Sequence, residues 1–131
     1  MSAPGRSCPL AYRYGPAALA KCPPQVVETL YVVGGLYGNL PALETVQAMV
    51  AQEPGPVTLC FNGDFNWFNV DDAGFVEINH AVLKHDAIQG NVEAELLTPE
   101  DDAGCGCAYP ESVDAGVVER SNAIHARLKS M

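Results

Sequence analysis

The sequence predicts an α/β fold: a largely parallel sheet with flanking helices. Two observations carry that expectation. Short β-prone runs alternate with stretches of helical periodicity, and the runs lead into glycine turns. Alternation of this kind implies crossover connections between parallel strands, and ligands then sit at the carboxyl ends of those strands.

The elements follow in order. Residues 1–28 are rich in Pro, Gly and Ala and read as an irregular arm, with one helical turn around Ala17 to Lys21. Its Tyr12-Arg13-Tyr14 cluster is expected to pack on the domain, and the arm could add an antiparallel edge to the sheet. From Thr29 the texture changes. Leu30, Tyr31, Val32 and Val33 form a short apolar run that ends at glycine, which suits a buried strand. Asn39 can cap a following helix, and Pro41 is tolerated in its first turn. Leu40, Leu43, Val46, Met49 and Val50 recur at helical spacing, and Glu53-Pro54-Gly55-Pro56 stops that helix.

Val57 to Phe61 is a second strand, leading to Gly63-Asp64. Ala73 to Lys84 carries Phe75, Ile78, Val82 and Leu83 on a helix face. Ala87 and Ile88 make a very short third strand before Gly90-Asn91. Thr98 to Pro110 is a loop containing GCGC. Val113, Val117, Ile124 and Leu128 share one face of a final helix that closes in Arg127 and Lys129, cations suited to a helix C-terminus. Three regions result: the arm (1–28), a strand–helix repeat region (29–98), and a Cys-containing loop with an amphipathic C-terminal helix (99–131).

Composition narrows the function classes. At 131 residues one domain is expected, and 48% apolar against 18% charged residues fits a folded chain. A formal charge of −9 argues against non-specific nucleic-acid binding and against anionic membrane surfaces. No run approaches the ~18 apolar residues of a transmembrane helix. The Pro- and Arg-interrupted N-terminus does not read as a secretory signal. The expected location is therefore the cytoplasm. Five cysteines, an odd number, fit reduced thiols better than a disulfide framework.

Chemistry-bearing residues concentrate in three strand-end turns: GGLYGN at 34–39, GD at 63–64 and GNVE at 90–93. In order and spacing these resemble the calcineurin-like metallophosphoesterases, most closely their small bacterial branch, whose first motif reads D-x-H-G-N-L-x-A-L. GLYGNLPAL at 35–43 matches that motif except at its two metal-binding positions. Gly63-Asp64 matches the second motif, G-D. Gly90-Asn91-Val92-Glu93 matches the third, G-N-H-D/E. The likeness spans about residues 29 to 95.

The resemblance implies the N-terminal half of the family's α/β sandwich and a phosphate-ester hydrolase ancestry. It implies a dinuclear site of divalent metals (Mn, Fe, Zn or Ni class) that clamps a phosphate ester and activates water. By that resemblance Asp64 falls on the bridging ligand and Asn91 on the second-metal ligand, with Glu93 as a substitute ligand. Gly35 and Tyr37 replace the Asp and His that hold the first metal, and Val92 replaces the His of the third motif. The family's later G-H and G-H-x-H motifs are absent. Two oxygen ligands do not make a tight dinuclear site.

Two readings follow. One is a phosphoesterase-family hydrolase with a degraded metal site, the chain being read as a fragment or a shortened pseudoenzyme. The other is a catalytically inactive binding or regulatory module, in which Gly35, Tyr37, Gly38 and Asn39 hold a small phosphate-containing anion or support a protein partner. No catalytic residue is singled out. Tyr37 is expected to plug the vacated metal position and to bond Asp64. Asn91 is expected to hold its turn, and Glu93 reads more readily as a first-turn helix acid than as a metal ligand. Cys105 and Cys107 could supply thiolates to zinc, but C-x-C departs from the usual C-x-x-C pairing. A half-sheet would leave an apolar face uncovered, to be closed by a missing C-terminal half or by a homodimer.

Overall fold

The computed structural model describes residues 14–66, 71–97, 99 and 112–131. Its elements are α1 (Pro16–Leu19), β1 (Thr29–Val33), α2 (Leu40–Val50), β2 (Val57–Phe61), α3 (Asp72–Val82), β3 (Asp86–Ala87), α4 (Asn91–Leu96) and α5 (Ala115–Lys129). The sheet has three strands in the order β1-β2-β3. Both pairings are parallel, with Thr29 opposite Val57, Val33 opposite Phe61 and Phe61 opposite Ala87. The expected α/β class is what the chain adopts.

Strand periodicity decides which face is covered. Tyr31, Val33, Leu59 and Phe61 point to one side, where α2 and α3 lie. Leu36, Leu43, Leu59, Phe61, Phe65, Ile78 and Val82 form the core there. Ile78 and Val82 are 0% exposed and Phe61 is 1% exposed. Burying side chains of this size contributes about 1.5–3 kcal/mol each. Leu30 and Val32 face the other side of the sheet and stay half-exposed.

The caps explain the helix boundaries. Asn39 Oδ1 accepts from Ala42 N at 3.1 Å, so α2 starts where the sequence places it, with Pro41 in its first turn. Asp71 caps α3 through Gly74 N at 2.7 Å, which moves the start of that helix to Asp72. Asp114 caps α5 through Gly116 N at 2.9 Å. Tyr31 on β1 donates its hydroxyl to Glu53 beyond the end of α2, tying strand to helix. That bond holds the phenol above its ordinary pKa, because the protonated form is the donor and the carboxylate sits beside it.

Four expectations need correction. Met49 and Leu83 turn outward, 48% and 66% exposed, so the buried stripes of α2 and α3 are narrower than their periodicity suggests. On α5 the buried positions are His125 and Leu128, whereas Val117 is exposed and Val113 precedes the helix. The third strand is Asp86–Ala87 instead of Ala87-Ile88. The described part of the arm, 14–28, adds α1 but no strand. Of the cluster expected to pack on the domain, Tyr14 is 71% exposed, while Tyr12 and Arg13 lie outside the described residues, as do Cys105, Cys107 and the Trp67 and Phe68 of an expected Asn66-Trp67-Phe68 loop anchor. Among the described residues, no helix is long and apolar enough to cross a membrane.

Candidate functional site

The three glycine turns converge at the carboxyl ends of the strands, and backbone bonds join them. Asn62 N donates to Val33 O at 2.8 Å, and Ile88 N donates to Phe61 O at 2.9 Å, each just past its strand. Further out, Tyr37 N donates to Asp64 O at 3.0 Å and Gly38 N to Phe65 O at 2.8 Å. The first and second turns thus continue the hydrogen-bonding of the sheet without being strands.

Reaching those partners bends the chain into left-handed backbone. Tyr37 and Gly38 have φ of 50° and 77°, and Gly63 and Asp64 have φ of 77° and 55°. Glycine adopts that region freely and aspartate tolerates it. An aromatic residue there is uncommon, and the surrounding bonds must over-determine it. Tyr37 meets that condition, since its own N–H and that of Gly38 are both bonded across to the second turn.

The second and third turns are in closer contact. A Cβ on Gly63 would lie 2.3 Å from Gly90 N and 2.4 Å from Gly90 Cα. A Cβ on Gly90 would lie 2.2 Å from Asp64 Oδ1 and 2.6 Å from Asp64 N. Two glycines are therefore required for the backbones to touch.

That contact lets Asp64 and Glu93 each bind the backbone of the other's turn. Asp64 Oδ1 accepts from Val92 N at 3.0 Å. Gly90 is the N-cap of α4 and has no side chain, so Asp64 supplies the capping oxygen from another loop. In return, Glu93 Oε2 accepts from Asp64 N at 2.7 Å and from Gly90 N at 2.9 Å, while Oε1 accepts from Phe65 N at 3.0 Å. The Glu93–Gly90 bond is the third-residue half of a capping box. Each of Glu93's carboxylate oxygens thus holds at least one backbone donor, as a first-turn helix acid would.

Tyr37 lies over the position that the resemblance assigns to a metal-binding Asp. A Cβ on Gly35 would sit 2.7 Å from Tyr37 Cε2 and 2.8 Å from Cζ. The phenol ring covers the space a side chain at 35 would use, while 45% of Tyr37 remains exposed. Val92, at the third-motif His position, is buried at 5% exposure and joins the interior. Asn91 is the first residue of α4.

This donor set does not fit a pair of divalent metals. Position 35 has no side chain, the Tyr37 ring covers it, and the Glu93 carboxylate is turned onto N–H groups. Among the described residues, no three His, Cys, Asp or Glu side chains are grouped to hold a metal ion.

Two supports of the cluster differ from the sequence reading, which missed Phe65 and took Asn66, with Trp67 and Phe68, as a hydrophobic anchor of the loop. Phe65, 6% exposed, anchors the second turn in the core, and its N–H and carbonyl bond to the third and first turns. Asn66, 2% exposed, donates from Nδ2 to Asn79 Oδ1 on α3 and fastens the turn to that helix. Asn79 next to the core residue Ile78 was the available signal, a polar side chain at the edge of an apolar stripe. The chain matches no family model, and no similarity to a curated protein or a solved structure was found.

Proposed function

We propose that this chain is a relative of the calcineurin-like metallophosphoesterases in which the strand-end loops form a fixed binding or regulatory platform in place of a hydrolytic centre. The observation that carries this reading is that Asp64 and Glu93 tie the second and third turns together, each accepting from the backbone of the other's turn. Asp64, at the motif position expected to bridge two metals, puts Oδ1 on the N-terminus of α4. Glu93 fastens α4 back to the second turn. Both carboxylates thereby support loop geometry. Tyr37 fills the remaining position and offers a half-exposed phenol at the mouth of the cluster.

The hydrolase alternative draws on the convergence of three glycine turns at the strand ends, where open α/β sheets hold ligands. The two readings separate on turnover. Purified protein with manganese is assayed on p-nitrophenyl phosphate and its bis-ester. The proposal expects no cleavage above a buffer-and-manganese blank. Sustained turnover that Asp64→Ala abolishes, with the fold retained, would overturn it.

A further inference from the structure

We propose that Asn62-Gly63 is a self-modification site: Asn62 deamidates through a cyclic imide, and the isoaspartate that results releases the contact between the second and third turns. This does not rest on the phosphoesterase reading.

The sequence holds one Asn-Gly pair, and it lies in the second turn. Cyclisation is favoured by a free carboxamide, by a following residue with no side chain in the way, and by a main-chain nitrogen that no acceptor holds. Asn62 is exposed, and among the described residues its carboxamide makes no hydrogen bond. Gly63 has no side chain, and among the described residues its N–H donates to no acceptor. Glycine also leaves the main chain the most freedom to turn. The other asparagines precede Leu40, Trp67, Val70, His80, Val92 and Ala123, all of which carry side chains. Asn39 and Asn66 are further held by their own side-chain bonds, to Ala42 N and to Asn79 Oδ1.

In the step, the Gly63 nitrogen gives its proton to solvent base and attacks Asn62 Cγ. The N–Cγ bond forms, the Cγ–Nδ2 bond breaks, and ammonia leaves with a proton from water. A water molecule then opens the imide. Breaking the new N–Cγ bond leaves an aspartate on an unchanged main chain. Breaking the original peptide C–N bond leaves an isoaspartate, whose main chain runs through Cγ and is longer by a carbon atom. The fold has no room for that atom. Asn62 N is pinned to Val33 O at 2.8 Å, and Asp64 N to Glu93 Oε2 at 2.7 Å. Between them Gly63 packs so closely that a Cβ would lie 2.3 Å from Gly90 N. A longer link must bow outward, lifting Gly63 off Gly90 and drawing Asp64 from Glu93. The aspartate product adds charge but no length and leaves the junction closed. Neither pin holds the reacting pair, the Asn62 carboxamide and the Gly63 nitrogen.

The test incubates the folded, full 131-residue chain in mildly alkaline buffer and follows it by peptide mass spectrometry. Deamidation should appear first at Asn62, with isoaspartate detected by labelling with an isoaspartyl methyltransferase. The isoaspartate form is then isolated chromatographically and compared by hydrogen exchange. The amides of Asp64 and Phe65 should lose their protection in it. Asn62→Asp, which copies the aspartate product, should keep that protection. Asn62→Ser should form no isoaspartate at this position and keep its protection through the same incubation. The position is exposed and its side chain unbonded among the described residues, and circular dichroism checks that both variants fold. An Asn62 that stays intact, or that converts no sooner than Asn39 or Asn122, would overturn the proposal. So would an isoaspartate form that protects Asp64 and Phe65 as the parent does, or an Asn62→Asp variant that loses protection equally.

Discussion

Replacing Glu93 by alanine removes the acceptor for three backbone N–H groups, those of Asp64, Phe65 and Gly90, at 2.7, 3.0 and 2.9 Å. Hydrogen bonds to a charged group are worth about 1.5–3 kcal/mol each, but water can replace those at partly exposed sites. Asp64 and Gly90 are partly exposed, so their loss is cushioned. Phe65 is 6% exposed, and its orphaned N–H carries a desolvation cost of about 1–3 kcal/mol. A net destabilisation of about 3 kcal/mol follows. With a urea slope of about 1.5–2 kcal/mol/M, the midpoint should fall by about 1.5–2 M with the slope unchanged. The melting temperature should drop by about 10 °C. Glu93→Gln keeps one acceptor oxygen but sets its NH2 against a backbone donor, so it should lose about half as much. A Glu93→Ala midpoint within about 0.3 M of the parent would refute the reasoning, because the carboxylate would then be holding nothing the solvent cannot.

Other predictions concern single contacts. Gly63→Ala meets backbone at 2.3–2.4 Å in a left-handed conformation and should destabilise by more than about 3 kcal/mol in urea titration, or prevent folding. Gly35→Ala meets only the movable ring of Tyr37, so it should cost less than about 1 kcal/mol and nothing further in a Tyr37→Ala background. In an alkaline absorbance titration, the Tyr31 phenol should ionise above 10.0, and Glu53→Gln should bring it down. Its folded pKa is raised, so the stabilisation is fully present below the unfolded pKa and is lost as pH rises through the folded one; Tyr31→Phe should flatten that part of the stability profile. Arg127→Ala should change stability by less than about 0.5 kcal/mol, because its 3.2 Å ion pair with Asp72 is largely solvated.

Local chemistry explains which parts of the fold were legible in the sequence. β2 and α2 fall where predicted, since β-branched runs, an Asn cap and a Pro-Gly-Pro stop act within a few residues. The register of helix faces was harder to read. Met49 and Leu83 have the right period, but their neighbours Val50 and Val82 take the inward places and rotate them out, and His125 takes a buried place that its polarity hides. At the site, the three turns were visible as glycine motifs, and Glu93 could be read as a helix acid. Its bonds to Asp64 and Phe65 could not, because they join residues 28 or 29 positions apart through a backbone contact that only the folded Gly63–Gly90 pair creates.

On the proposed reading, Asp64 and Glu93 serve the loops and do not hold metal. The most direct test is calorimetric titration of the purified, chelator-treated chain with manganese, backed by elemental analysis. No stoichiometric binding is expected. Near-stoichiometric binding that Asp64→Ala eliminates, in a variant that still folds, would contradict it.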